Sequence, residues 1–536
     1  MSPTEPAFLD QLKKHNQAHL VEHLASLPHP QASALADQLA QLDLEGLHLS
    51  FEKTKLSASA PVKDVITPVP TVSKSQIEAD GWVWKRQGYR AIANGQVAAV
   101  CLAGGQGTRL GFDGPKGAFD AGLPSGKSLF QMHAERLLRL SRLAGPQAVI
   151  PFYVMTSPLN DAETRQYFED RKYFGLNPAN VMFFTQGTLP CLEEDGKIML
   201  ETAQKIASAP DGNGGVYIAL SKSGALDDMD RRGVTCMHVY AVDNPLACPG
   251  DALFVGCCLS KKVETGNMCV PKSGWDERVG VAALRNGNFH VVEYSEISEA
   301  MAKETDADGK LVFGSANICS HFFTLAFIRD VVVPGMRLQH HVARKAIPFL
   351  RDPNPTKPNG IKLELFIFDA MPLAKSFVAL EVDRQGVFAP IKNATGADSP
   401  ATARAAVTQM CLDWLIKAGA AVEGEGNVEI SPLLSLEGEG LDFLAGKTVR
   451  RPCEISTLEN TPVAALGADD RLIVLKIANN NNGRPAGMFS YQVVSKTASK
   501  IQGDVVRARL EKVDIARTTP VEALFILQEL LELARI

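Results

Sequence analysis

Gly104, Gly105 and Gly107 stand with Arg109 and Lys116 in one short stretch, Leu102-Ala103-Gly104-Gly105-Gln106-Gly107-Thr108-Arg109-Leu110-Gly111-Phe112-Asp113-Gly114-Pro115-Lys116-Gly117. Glycines let a backbone turn tightly and bring its N–H groups against an anion where a Cβ would collide. Arg109 and Lys116 add two cations to the same loop, so phosphate binding is the chemistry these residues suit. Two familiar phosphate loops fail on spacing. The dinucleotide fingerprint needs a third glycine where Leu110 stands, and Gly122 lies one residue too close to Gly126-Lys127-Ser128 for a P-loop.

The pattern that does fit is a Gly-Gly-x-Gly-Thr-Arg-Leu loop followed by Pro-Lys, and in this the chain resembles the sugar-nucleotide pyrophosphorylases. Gln106, Pro115-Lys116-Gly117, Gly122-Leu123-Pro124-Ser125 and Lys127-Ser128-Leu129-Phe130-Gln131 look like the eukaryotic-type UDP-N-acetylglucosamine pyrophosphorylases of that family. Further similar blocks follow in order at 211–215, 238–244, 292–297, 317–323, 366–369 and 390–394, with Glu429-Ile430-Ser431-Pro432 and 438–441 beyond them. Phe112-Asp113-Gly114 and Ser315-Ala316 depart from the family's usual residues.

The resemblance implies a uridylyl transfer, in which N-acetylglucosamine 1-phosphate attacks the α-phosphorus of UTP and pyrophosphate leaves. The attacking oxygen is already anionic, so fixed cations, backbone N–H groups and a divalent metal carry the work, and no Ser-His-Asp or Cys-His set is needed. It assigns Leu102, Ala103, Gly104 and Gly105 to UTP, and Arg109 and Lys116 to triphosphate oxygens, with Lys116 the main charge stabiliser. Gln186 and Gly212 would read the uracil edge. Asp243 would hold Mg²⁺, which favours one or two carboxylates with phosphate oxygens. Asn213, Glu293, Tyr294 and Asn317 would meet the sugar, Phe366 and Phe368 its N-acetyl methyl, and Lys375 or Lys392 its phosphate. The residues alone leave blander readings open: solvated lysines at 116, 375 and 392, a surface ion pair at Arg109, a loop glutamine at 186 and a left-handed turn at Asn213. Asp243 could instead cap a helix or Asx-turn beside Asn244-Pro245, Glu293 could face solvent on a strand, and Phe366 and Phe368, two apart on a strand, could pack a core. Adjacent His340 and His341 would not converge on a metal. Two rival functions are transfer to glucose or galactose 1-phosphate, and a sugar-nucleotide-sensing subunit without catalysis.

These residues need a frame to hold them. The apolar run Val97–Leu102 ending at glycine reads as a buried parallel strand. From about residue 76 similar runs at 148–155 and 181–186 alternate with helical stretches at 129–143 and 161–173, which predicts an α/β, Rossmann-like nucleotidyltransferase core with a mostly parallel sheet. Ligands in such sheets sit beyond the carboxyl ends of the strands, where the loop emerges. Two amphipathic helices separated by Pro28 and Pro30 are expected over 8–52, then a Pro/Ser/Thr-rich linker or extended wrap from Ser57 to Ser75. The expected division is an N-terminal helical region and linker at 1–75, a catalytic domain at 76–395 and a small α+β accessory domain at 396–536. The last begins with a helix at 402–417, passes through β-like runs at 428–430, 448–451 and 472–477 and an Asn-rich turn at 479–483, and ends in a helix at 520–536.

Composition narrows the class. Apolar content of 45% and charged content of 21% over 536 residues describe a globular chain, and a net charge of -5 offers no field for nucleic acid. No apolar run is long enough for a membrane span, and no secretory or peroxisomal signal is evident. Ten cysteines without metal-type spacing suit reduced, buried thiols in a cytoplasmic setting. A monomer or homodimer working on small molecules is the expectation, with Mg²⁺ as cofactor.

Overall fold

The computed structural model describes residues 5–59, 64–335, 338, 340–457 and 473–477. An 11-stranded sheet forms its centre. Along the main path lie, in order, Thr71–Val72, Phe377–Glu381, Thr265–Pro271, Ser315–Thr324, Cys236–Ala241, Val97–Leu102, Phe152–Thr156 and Val181–Thr185. All run parallel except Ser315–Thr324, which is antiparallel to both neighbours. The core is therefore α/β with a mostly parallel sheet, as the alternation of patterns predicts. Every residue of Val97–Leu102 is buried. Val97, Ala99 and Cys101 join the core on one face of the sheet, and Ala98, Val100 and Leu102 the core on the other. A strand covered on both sides reads as an unbroken apolar run for this reason.

The helix after the glycine loop, Leu129–Ala144, starts where Ser128 Oγ accepts the Gln131 N–H at 3.2 Å. The predicted helix over 161–173 stops at Asp170, because Tyr173 and Phe174 take positive φ in the turn that follows. On one face of the sheet, Lys74–Ala93 and Ala252–Lys261 cross so closely that a Cβ at Gly256 would stand 1.7 Å from the Trp84 carbonyl oxygen.

The N-terminal region differs from expectation in detail. Four helices, Pro6–Lys14, Ala18–Ser26, His29–Ala40 and Leu44–Ser59, replace the expected two. Pro28 and Pro30 do not merely divide the region; they open the third helix, where a fixed φ and a missing N–H cost nothing. Leu12, Leu20, Leu35 and Leu39 pack against Leu192, Ile198, Ile361 and Leu363 of the core. The linker expected from Ser57 is still helical to Ser59, and Ile66–Pro68 and Thr71–Val72 then add two short strands to the main sheet. Beyond the core, Pro400–Lys417 is capped by Ser399, and it packs with Val428–Ile430 against Leu123, Met132 and Leu246. The expected turn at 479–483 and helix at 520–536 lie outside the described residues.

Candidate active site

Strand register decides which residues meet. Leu102 and Ala241 are paired neighbours on parallel strands, so the chain leaves the sheet at Gly104 and at Asp243 side by side. There Lys116 Nζ lies 3.1 Å from Asp243 Oδ2, both side chains being mostly buried. The Asx-turn weighed for Asp243 is made by its neighbour: Asn244 Oδ1 accepts the Leu246 N–H at 3.2 Å, leaving the Asp243 carboxylate to the lysine.

The glycine loop is held from beneath. Gly107 N–H donates to the Gly114 carbonyl at 2.9 Å and Lys116 N–H to the Gly105 carbonyl at 3.1 Å, so the loop doubles back and brings Lys116 to its mouth. Asn160, 1% exposed, donates from Nδ2 to the carbonyls of Ala103 and Gly105 at 3.0 and 3.1 Å. With those carbonyls turned under the loop, the N–H groups of Gly104 and Gly105 donate to no acceptor among the described residues. A Cβ at Gly104 would meet Gln186 at 3.0 Å and one at Gly107 the Phe112 ring at 2.6 Å, whereas at Gly105 nothing lies within 4 Å. Arg109 is exposed on the turn Thr108–Leu110 and makes no ion pair among the described residues, so the surface salt bridge weighed against it is absent there.

Gln186 is 8% exposed beyond the end of Val181–Thr185, its amide against Gly104. The hairpin Thr188–Pro190 with Ser208–Pro210 then folds the chain back, so that Asp211 N–H donates to the Gly187 carbonyl at 3.1 Å and Gly212 arrives beside the same segment. Asp211 is 5% exposed, and its Oδ1 has no partner among the described residues. Burial pushes its carboxyl up to about 6. Asn213 turns away from a bare ligand role: its Oδ1 accepts the Ile367 N–H at 2.9 Å and so fixes the segment that carries Phe366.

On the sugar side of the expected site, Phe366 and Phe368 do not share a strand. Phe366 is the cap of the turn Ile367–Leu373, and the two rings come to 5.2 Å because the 3-10 turn, not a pleat, brings them together. His341 stacks on Phe366 at 4.3 Å and lies 3.0 Å from both oxygens of Asp369. Burial opposes charge on His341, yet the Asp369 carboxylate holds its pKa above the ordinary value. His340 points elsewhere, into a cavity of about 240 Å³ shared with Asp211 and Tyr217, so the two histidines indeed diverge. Glu293 follows the strand Asn288–Val292 and is half-buried; burial first, then Glu296, raises its pKa. Its Oε1 lies against Gly280, whose carbonyl accepts the Asn317 N–H at 2.8 Å, so Glu293 and Asn317 flank one backbone segment. Lys392 comes to the site because Ile391 N–H donates to the Asp243 carbonyl at 2.8 Å; its Nζ is 3.5 Å from Asp398.

Two expected residues are not brought in. Lys375 precedes Phe377–Glu381, whose first residue is level with Thr265 at the amino ends of the strands, the edge opposite the glycine loop. There its N–H donates to Glu264 at 2.6 Å. Tyr294 is 48% exposed and lines a surface hollow with Trp275 and Arg278.

A family model described as UTP–glucose-1-phosphate uridylyltransferase matches residues 57–418. The chain belongs to this family. It is 41% identical over 465 residues to a UDP-N-acetylhexosamine pyrophosphorylase-like protein 1 of Xenopus tropicalis, covering 80% of this chain and 91% of that one. It is 40% identical to UDP-N-acetylglucosamine diphosphorylase 1 of Arabidopsis thaliana, over 85% of this chain and 94% of that one. Among solved structures, the uridine diphosphate N-acetylglucosamine pyrophosphorylase of Trypanosoma brucei, in complex with inhibitor, superposes with a TM-score of 0.71 at 33% identity, covering 82% of this chain and 94% of that chain. As a member of this family the chain carries the nucleotidyltransferase fold, and the loop, Lys116 and Asp243 stand at the carboxyl edge of its sheet. No helix among the described residues is long and apolar enough to cross a membrane.

Proposed function

We propose that this chain transfers a uridylyl group from UTP to N-acetylglucosamine 1-phosphate, forming UDP-N-acetylglucosamine and pyrophosphate. The observation that carries the reading is Lys116 held 3.1 Å from Asp243 at the mouth of a loop whose Gly104 and Gly105 N–H groups are free to donate. In the transfer, the sugar phosphate oxygen forms a bond to the α-phosphorus as the bond to the β-phosphate bridging oxygen breaks, and no proton needs to move. The Gly104 and Gly105 amides take phosphate oxygens, and Lys116, with Arg109 exposed on the neighbouring turn, offsets charge gathering on the departing pyrophosphate. Gln186, wedged over Gly104, offers an amide to the uracil edge. Glu293, Asn317 and Phe366 face the amino sugar, and Lys392 meets its phosphate.

Among the described residues no three His, Cys, Asp or Glu side chains gather as a metal cage. A lone carboxylate beside a phosphate loop fits Mg²⁺, which takes few protein ligands and completes its shell with phosphate and water oxygens. Asp243 would hold it, and when bound it would neutralise phosphate charge. Because Asp243 also holds Lys116, its carboxylate is shared between the two cations' sites. The ten cysteines are all free, eight of them buried, which supports work in a reducing, cytoplasm-like compartment.

A sugar panel tests the specificity. With UTP and MgCl₂, N-acetylglucosamine 1-phosphate should give a kcat/KM at least about tenfold above that with glucose 1-phosphate, since an acetamido-facing pocket left unfilled forfeits its contacts. Equal values for the two sugars would remove the amino-sugar assignment.

A further inference from the structure

The blocks at 122–131 and 429–432 meet each other in the interior. Glu429, 1% exposed, accepts the Ser125 N–H at 2.9 Å on one oxygen and the Ser125 hydroxyl at 2.8 Å on the other. Two residues on, Lys127 Nζ lies 2.9 Å from Glu135 of the Leu129–Ala144 helix, 3.2 Å from Ser431 Oγ and 3.4 Å from Glu454. Two carboxylates and a hydroxyl thus surround one ammonium, an arrangement that burial makes costly and that only dense hydrogen bonding sustains. Two more ties run from the same C-terminal segment to the same loop. Arg404 donates to the Ala121 carbonyl at 2.7 Å, and Leu123 is buried among Val407, Val428 and Ile430.

The loop so gripped leads straight back to Lys116. Asp120 bridges to Ser128, Leu129 N–H donates to the Phe119 carbonyl at 3.2 Å, and Phe119 N–H donates to the Lys116 carbonyl at 3.1 Å. Gly117 rests on the Phe130 ring, which is fully buried on the same helix. The turn bearing Lys116 is therefore tied to the 119–128 loop on this side, as it is to Gly105 and Asp243 on the other.

We propose that Glu429 is a positioning residue for the transfer reaction, fixing the 119–128 loop so that Lys116 meets the phosphates at the required distance. The C-terminal segment then completes the active site from behind, without touching substrate. This rests on the role of Lys116 given above. A displacement near 1 Å at a reacting group costs up to about 100-fold in rate, so a partial loosening should cost about tenfold.

A double-mutant cycle tests it, with Glu429→Gln keeping shape while removing the charge, and Ser125→Ala removing one leg of the same grip should Glu429→Gln fold poorly. Expected are a fall in kcat of about tenfold for Glu429→Gln and about threefold for Ser125→Ala, each shrinking below about twofold in a Lys116→Ala background. Losses that repeat in full in that background would mean the grip serves only the fold, and the proposal would be overturned, as it would by unchanged kcat in both single variants. Undiminished activity in Lys116→Ala itself would instead strike at the role of Lys116, and the positioning role would go with it.

Discussion

Asparagine at position 211 should stabilise the protein near neutral pH, and its stability relative to aspartate should rise as the pH goes from 4.5 to 7.5. Asp211 is 5% exposed with one carboxylate oxygen unpartnered, and burial lifts its pKa from 3.8 to about 6. Over the interval between those values the folded chain keeps a proton that the unfolded chain has released. Folding stability therefore falls as pH rises through the interval, and above it the whole penalty remains. A shift of about two units at about 1.4 kcal/mol each corresponds to about 3 kcal/mol. Asp211→Asn is neutral throughout; its amide, equally short of partners, costs about 1–2 kcal/mol at every pH. The net gain near neutrality is about 1–2 kcal/mol, but the change between pH 4.5 and 7.5, about 2 kcal/mol, is the cleaner signal. Urea midpoints followed by tryptophan fluorescence for both proteins, from pH 4.5 to 7.5, would read it. A difference that stays constant over this range would refute the reasoning, because it would show that Asp211 carries its charge in the fold without cost.

Lys116→Ala should lower kcat by at least about 100-fold, roughly 3 kcal/mol of transition-state stabilisation, while UTP affinity by calorimetry changes less than about tenfold; a larger loss in affinity than in rate would assign Lys116 to ground-state binding. Gly256→Ala should cost about 3 kcal/mol or more, since its Cβ would stand 1.7 Å from the Trp84 carbonyl and the helices would have to part; an unaltered melting midpoint would contradict so close a crossing. His341, with a pKa held above the ordinary value by Asp369, adds stability that is complete below its unfolded pKa and lost as pH rises through its folded one. Asp369→Asn should lower the His341 titration midpoint observed by NMR, and an unmoved midpoint would show that the pair does not set it.

The parts of the fold that announced themselves were those in which one physical demand fills a run of residues. Val97–Leu102 is buried on both faces, so its sequence is apolar throughout, and its bounds were readable to the residue. The approach of Asp243 to Lys116 follows from two such strands running parallel in register. Single residues with borrowed roles were not legible. Asn160 braces the glycine loop, but nothing in Ser157-Pro158-Leu159-Asn160 distinguishes a brace from an ordinary helix cap. The spacing of Phe366 and Phe368 fits a strand as well as a 3-10 turn, and a distant acceptor, Asn213, with a local one, Asp369, decides for the turn. Lys375 shows the limit of motif proximity, since a residue just before a parallel strand starts at the wrong edge of the sheet. The meeting of Ser125 with Glu429 and of Lys127 with Ser431 spans about 300 residues, a contact that local pattern cannot encode.

The most direct measurement is product analysis with the purified chain, UTP, N-acetylglucosamine 1-phosphate and MgCl₂. UDP-N-acetylglucosamine and pyrophosphate should accumulate in equal amounts, and omission of either substrate or addition of EDTA should abolish both. Failure to form UDP-N-acetylglucosamine under these conditions, by a chain shown to be folded and to bind UTP, would contradict the assignment.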